Sequence, residues 1–274
     1  MTRKIIIDTD PAMGTKGGDP EDCFAIMLAM NSPELEILGI TTVQGNVPVE
    51  RGFSNAKFLI DSFQKDIPVH TGVSGTYDIE RNGKRKWLSE RKEMEQLTPM
   101  IEPAENDLSA PSFIAKTCAK HSGEIELITI GPLTNVAKAL DEDPDLSKHI
   151  KKITMMAGAA KVPGNVTPAA EFNVWADPES AAKVFSAGID FTLVPLDVCH
   201  KTRFSRKQLE SIGKNNHPFC QFVNESVDPW LKINPNHNII DQGLHLYDSL
   251  AVALSFSPEL AAVSYTHLTL PTKA

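Results

Sequence analysis

The chain has 274 residues, 41% of them hydrophobic and 23% charged, an ordinary globular balance that suits one large core. A net charge of -8 excludes nucleic acid and anionic membrane as main partners, because both attract basic surfaces. Four scattered cysteines without a Cys-x-x-Cys pair, no apolar run long enough to span a bilayer and no signal-peptide pattern point to free thiols in the cytoplasm.

Ile5-Ile6-Ile7 reads as a buried parallel strand that delivers Asp8 and Asp10 at its C-terminal end, the edge where open α/β sheets bind ligands. Glu21-Asp22 then opens an apolar helix from Cys23 to Met30. Oxygens converging there repel one another unless a cation lies between them, and a hard divalent ion is the natural occupant. Leu35 to Val43 is expected as a strand, Glu50 to Phe63 as an amphipathic helix, and Ile67 to His70 as a short strand. Tyr77 to Asp107 is polar and reads as a solvated excursion or lid. Ala110 to His121 is expected as helix and Ile125 to Ile130 as strand, closed by Gly131-Pro132. A helix follows from Leu133, then the strand Ile153 to Met156.

The loop after that strand carries Asn165, Glu171 and Asn173, an amide and carboxylate set suited to a polyhydroxylated ligand such as a sugar. Asp177 to Ala187 is expected as helix, Phe191 to Pro195 as strand and Leu244 to Leu254 as helix, with Asp248 near its head. Repeated βα units predict an α/β fold, a single domain with an open, mainly parallel, Rossmann-like sheet flanked by helices and its site at the C-terminal strand ends.

These segments in order resemble the inosine–uridine-preferring nucleoside hydrolases. The resemblance rests on Asp8-Thr9-Asp10-Pro11 with Asp22-Cys23-Phe24-Ala25-Ile26, on Gly45-Asn46-Val47, and on Gly131-Pro132-Leu133-Thr134-Asn135. Glu171-Phe172-Asn173 with Asp177-Pro178-Glu179, then Val194-Pro195-Leu196-Asp197-Val198 with His200, complete it across residues 3 to 262. It implies calcium-dependent hydrolysis of the N-glycosidic bond of ribonucleosides to free base and ribose, in a homodimer or homotetramer. Calcium would be held by Asp10, Asp22, Asp248 and the backbone carbonyl of Ile130. Asp10 would be the general base on a metal-bound water that Asn46 helps to orient. Glu21, Asn165, Glu171, Asn173 and Asp248, with the backbone of Met156, would hold the ribose, and Asp8 would support the metal cluster from behind.

The chain departs from the family pattern at three places. Ala12 to Pro20 interrupts the first motif, and Glu21 replaces the first aspartate of its acidic pair; the glycines let this loop bulge away and return Asp22 to the metal, with Asp19 as a competing ligand. Tyr247 stands where many members carry a histidine that protonates the leaving base; His245 is expected to point elsewhere on the helix, and Trp230, His237 or Asp241 to line the base pocket. Residues 263 to 274 match nothing in the family pattern and read as an unrelated tail on a C-terminally truncated domain of residues 1 to 262. Two alternatives arise from the same residues: a non-catalytic nucleoside- or ribose-binding relative, and a haloacid-dehalogenase-like phosphatase built on Asp8-Thr9-Asp10.

Overall fold

A computed structural model of the chain describes residues 2–73, 94–105, 107–214, 218–233 and 244–262. Six strands, β1 (Arg3–Thr9), β2 (Leu35–Thr42), β3 (Val69–Thr71), β4 (Ile125–Thr129), β5 (Lys152–Met156) and β6 (Phe191–Val194), form one sheet in the order β3-β2-β1-β4-β5-β6. All five pairings are parallel, as the repeated βα units require. The strand order reverses between β1 and β4, which creates the crevice in which this class of sheet holds ligands.

Alternation along β1 explains the two-sided core. Ile5 and Ile7 join the cluster that includes Phe24, Ile26, Phe53 and Leu59, whereas Ile6 joins Ile114, Leu127, Val136 and Ile153 on the other face. The first face is covered by α1 (Glu21–Met30) and α2 (Val49–Ser62), the second by α3 (Ala110–Lys120) and α4 (Thr134–Glu142). The chain then adds α5 (Leu146–His149), α6 (Phe172–Ala176), α7 (Pro178–Phe185), α8 (Leu196–Cys199), α9 (Arg206–Gly213) and α10 (Pro218–Ile233). Proline at the first turn and a capping aspartate start α7: Asp177 accepts the Ser180 N–H at 3.1 Å.

One expected element is different. Leu244–His245 is not helical but a short strand, β8, paired antiparallel with β7 (Arg203–Phe204), and the last helix, α11, spans Asp248–Phe256. The apolar run through Leu244 and Leu246 satisfies both periods, and pairing with β7 decides for the strand. The four cysteines are unpaired thiols, and among the described residues no helix is long and apolar enough to cross a membrane. Residues 74–93, most of the polar excursion, and residues 263–274 lie outside the described part, as do His237 and Asp241.

Candidate active site

β1 ends directly beneath the crevice, and the residues around its end are packed to the limit. Asp10 is fully buried, and its Oδ2 accepts the backbone N–H of Asn46 at 2.6 Å. Room for its carboxylate exists only because Gly45 and Gly131 lack side chains. A Cβ on Gly45 would lie 2.0 Å from Asp10 Oδ2, and one on Gly131 would lie 2.7 Å from Oδ1. These close approaches give a physical reason for the glycines of the Gly45-Asn46-Val47 and Gly131-Pro132 segments.

Asp22, in the first turn of α1, is fixed beside Asp10. Its Oδ1 accepts the Thr9 hydroxyl at 2.6 Å and the Asp10 N–H at 3.1 Å, and its Oδ2 accepts the Asn46 side-chain amide at 3.3 Å. Asp248, the first residue of α11, is also buried and faces Asp22, Glu21, Asp19 and Asp10 electrostatically. Asp8 lies deeper: its Oδ1 accepts Thr41 Oγ1 at 2.6 Å and Asn135 Nδ2 at 2.7 Å. The nitrogen of Asn135 also donates to the Thr42 carbonyl, tying the head of α4 to β2.

From the β5 side, Asn173 donates through Nδ2 to the carbonyls of Ile130, at 3.1 Å, and Met156, at 3.0 Å. One amide thus gathers the ends of β4 and β5, including both carbonyls expected at the site. Glu171 caps α6: Oε1 accepts the Asn173 N–H and Oε2 accepts those of Gly158 and Val174. Asn165 is exposed in the loop and accepts the Phe172 N–H at 2.9 Å. Asp197 pins the same loop by accepting the N–H groups of Ala160 and Lys161.

Several expectations from the sequence need correction. The Ala12 to Pro20 segment does not bulge away: Ala12 to Thr15 are buried, Lys16 N–H donates to the Glu95 carbonyl, and Leu97 N–H donates to that of Gly14. Trp230 is 4% exposed and packs with the core cluster. Glu21 has both oxygens engaged at the start of α11 by Tyr247, Asp248 and Ser249, partners the sequence does not mark. His245, in a strand rather than a helix, comes within 6.0 Å of the Tyr247 ring and 5.4 Å of the His200 ring, measured between centroids. Thr41 and Ser249 are partners of the acids that no motif in the sequence marks, and Thr9, inside the first motif, has no expected role there.

Burial dominates the electrostatics. It pushes Asp10 and Asp248 well above the usual carboxylate range, and the neighbouring Asp22 pushes both further. Asp22 is raised by burial too, against the hydrogen bond from Thr9. Burial carries Asp8 to about 7 and Glu21 to about 8. Acids raised in this way contribute stability to the cation-free fold that is fully present below about pH 4, where the unfolded chain is also protonated, and is lost as pH rises through the folded values. Chelator-treated protein is therefore expected to melt at a lower temperature at pH 8 than at pH 5, with added calcium restoring most of the difference at pH 8. Melts of one sample at both values, with and without calcium, check this.

Does this donor set fit a cation? Among the described residues, no three His, Cys, Asp or Glu side chains already stand as a ready-made cage. Yet Asp10 Oδ1 and Asp8 Oδ2 are buried acceptors without a hydrogen-bond partner. A buried oxygen left so, among acids held above their normal range by one another, is what a hard cation with oxygen ligands relieves. The unpartnered oxygens suit a hard cation with oxygen ligands.

The sequence matches, over residues 5–273, the model of a family described as inosine-uridine preferring nucleoside hydrolase. A pyrimidine-specific ribonucleoside hydrolase of Photobacterium profundum is 34% identical over 267 residues, 96% of this chain and 82% of the relative. An uncharacterized protein of Schizosaccharomyces pombe is 39% identical over 217 residues, 75% of this chain, which here spans 65% of the relative's length. A solved plant nucleoside hydrolase superposes with a TM-score of 0.82 at 29% identity, covering 96% of this chain and 81% of that one. The family match removes the phosphatase alternative for Asp8-Thr9-Asp10. With its parallel sheet, its acids at the end of β1 and the starts of α1 and α11, and this match, the chain belongs to the inosine-uridine preferring nucleoside hydrolase family, hydrolases of N-glycosyl compounds.

Proposed function

We propose that this chain hydrolyses the N-glycosidic bond of ribonucleosides, giving free base and ribose, with Asp10 as the general base and calcium as its resident cation. The observation that carries the reading is the unpartnered, buried Oδ1 of Asp10, which interacts electrostatically with both Asp22 and Asp248. Asp10, Asp22, Asp248 and the Ile130 carbonyl would hold the calcium, which when bound lowers the pKa of water and neutralises the converging carboxylates.

The residues of the chain divide the remaining work. Asp10 Oδ2 is fixed by the Asn46 N–H, which leaves Oδ1 to take the proton of the attacking water. Asn46, bonded also to Asp22, sets where that water stands. As the base departs, positive charge develops on the ribose, an oxocarbenium-like state that buried carboxylates stabilise. Asn173, Glu171 and Asn165, with the Met156 carbonyl, form the β5 wall that takes the sugar hydroxyls. Burial keeps the Tyr247 hydroxyl protonated far above its ordinary range, so it donates a hydrogen bond to the leaving base.

A panel of purine and pyrimidine ribonucleosides, with calcium or with chelator, tests the reading. Release of free base and ribose that stops on chelation supports it. Binding without turnover supports the non-catalytic alternative, and neither binding nor turnover removes the proposal.

A further inference from the structure

The helix that carries Asp248 begins without a cap of its own. Its N-cap residue is Tyr247, whose side chain makes no capping hydrogen bond. The first N–H groups of a helix have no intrahelical acceptor and are costly to bury unpaired. Here they are satisfied from another helix. Glu21 Oε2 accepts the backbone N–H groups of Tyr247, at 2.9 Å, Asp248 and Ser249, at 3.0 Å, and Oε1 accepts the Ser249 hydroxyl at 2.5 Å. Glu21 is 1% exposed and is the first residue of α1, with Asp22 next to it.

We propose that Glu21 is a positioning residue: its carboxylate caps α11 in trans and thereby sets where Asp248 stands relative to Asp22. The inference rests on the calcium reading above, because the distance it controls is that between two of the proposed ligands. Three N–H donors on one oxygen fix the backbone at Asp248 itself, and the fixing group is attached one residue from Asp22. An aspartate is one methylene shorter and would draw the acceptor oxygens back from the α11 N–H groups that Glu21 now holds. Two helix N-termini meeting at Glu21 also lend their positive ends to the surrounding acids.

The test uses the full chain and the variants Glu21→Gln, Glu21→Asp and Glu21→Ala, with calcium alone as the probe in calorimetric titrations after chelator treatment. Glu21→Asp and Glu21→Ala should bind calcium about 10- to 100-fold more weakly, the range seen when a partner of a ligand is removed. Their Tyr247, Asp248 and Ser249 amides should exchange at least about tenfold faster. Glu21→Gln keeps an acceptor oxygen for those N–H groups and should stay within about threefold of the parent in both measurements. At saturating calcium, the KM of Glu21→Asp should also stay within about threefold of the parent.

Parent-like calcium affinity with a raised KM in Glu21→Asp would overturn the proposal and return the residue to the sugar. If the parent itself binds no calcium, the metal reading fails separately. The amide rates of Glu21→Asp still decide: faster exchange sustains the clamp, and unchanged exchange removes it. Should Glu21→Ala not fold, the Gln and Asp variants decide the question without it.

Discussion

Asp10→Asn is expected to lower kcat by about 10²- to 10⁴-fold, the usual worth of a general base, without lowering the melting temperature of calcium-free protein. The side chain keeps its shape, and its carbonyl oxygen can still accept the Asn46 N–H. What disappears is the charge on a buried group already held well above its normal pKa by burial and Asp22. Removing it relieves repulsion in the cation-free fold, so stability should be unchanged or higher while activity falls. Calorimetry in chelator and steady-state assays in calcium separate the two effects; near-normal turnover would take Asp10 out of the mechanism.

Gly45→Ala should be comparably damaging by a different route. Its Cβ would lie 2.0 Å from Asp10 Oδ2 and 2.8 Å from Cγ, far inside van der Waals contact. Either the Asp10 carboxylate swings away from the Asn46 N–H or the loop after β2 shifts, and both displace the base. Misplacing a reacting group by an ångström costs about 100-fold in rate. Gly52→Ala is the matching control: it sits inside α2, its Cβ would find its nearest neighbour at 3.6 Å, and an alanine there favours the helix. Assays and melts should show Gly45→Ala nearly inactive and less stable, with Gly52→Ala active and as stable as the parent or more so.

Much of this fold was legible because the apolar segments are short, strongly patterned and punctuated. Ile5-Ile6-Ile7 could be buried on both faces only in a parallel sheet, and Gly131-Pro132 could only end β4. Leu244–His245 was not legible, because an apolar pair next to a helix carries no mark of its pairing with Arg203–Phe204. The site divides in the same way. Asp10, Asp22 and Asp248 were readable as acids at element ends, where the sheet class puts its ligands. Their partners were not. That Glu21 caps a helix beginning 227 residues later, or that the Asn173 amide joins the Ile130 and Met156 carbonyls, depends on long-range packing that no local spacing encodes. Trp230, offered to the pocket on position alone, packs with the core cluster.

The most direct test of the proposed metal centre is a crystal structure of the full chain grown with calcium and ribose, with the cation identified by its anomalous signal. The expected result is one ion with oxygens of Asp10, Asp22, Asp248 and the Ile130 carbonyl at about 2.3–2.6 Å, and ribose between it and Asn173. An empty junction, with the ion elsewhere or absent and the Asp10 and Asp22 carboxylates in their hydrogen-bonded positions, would contradict it.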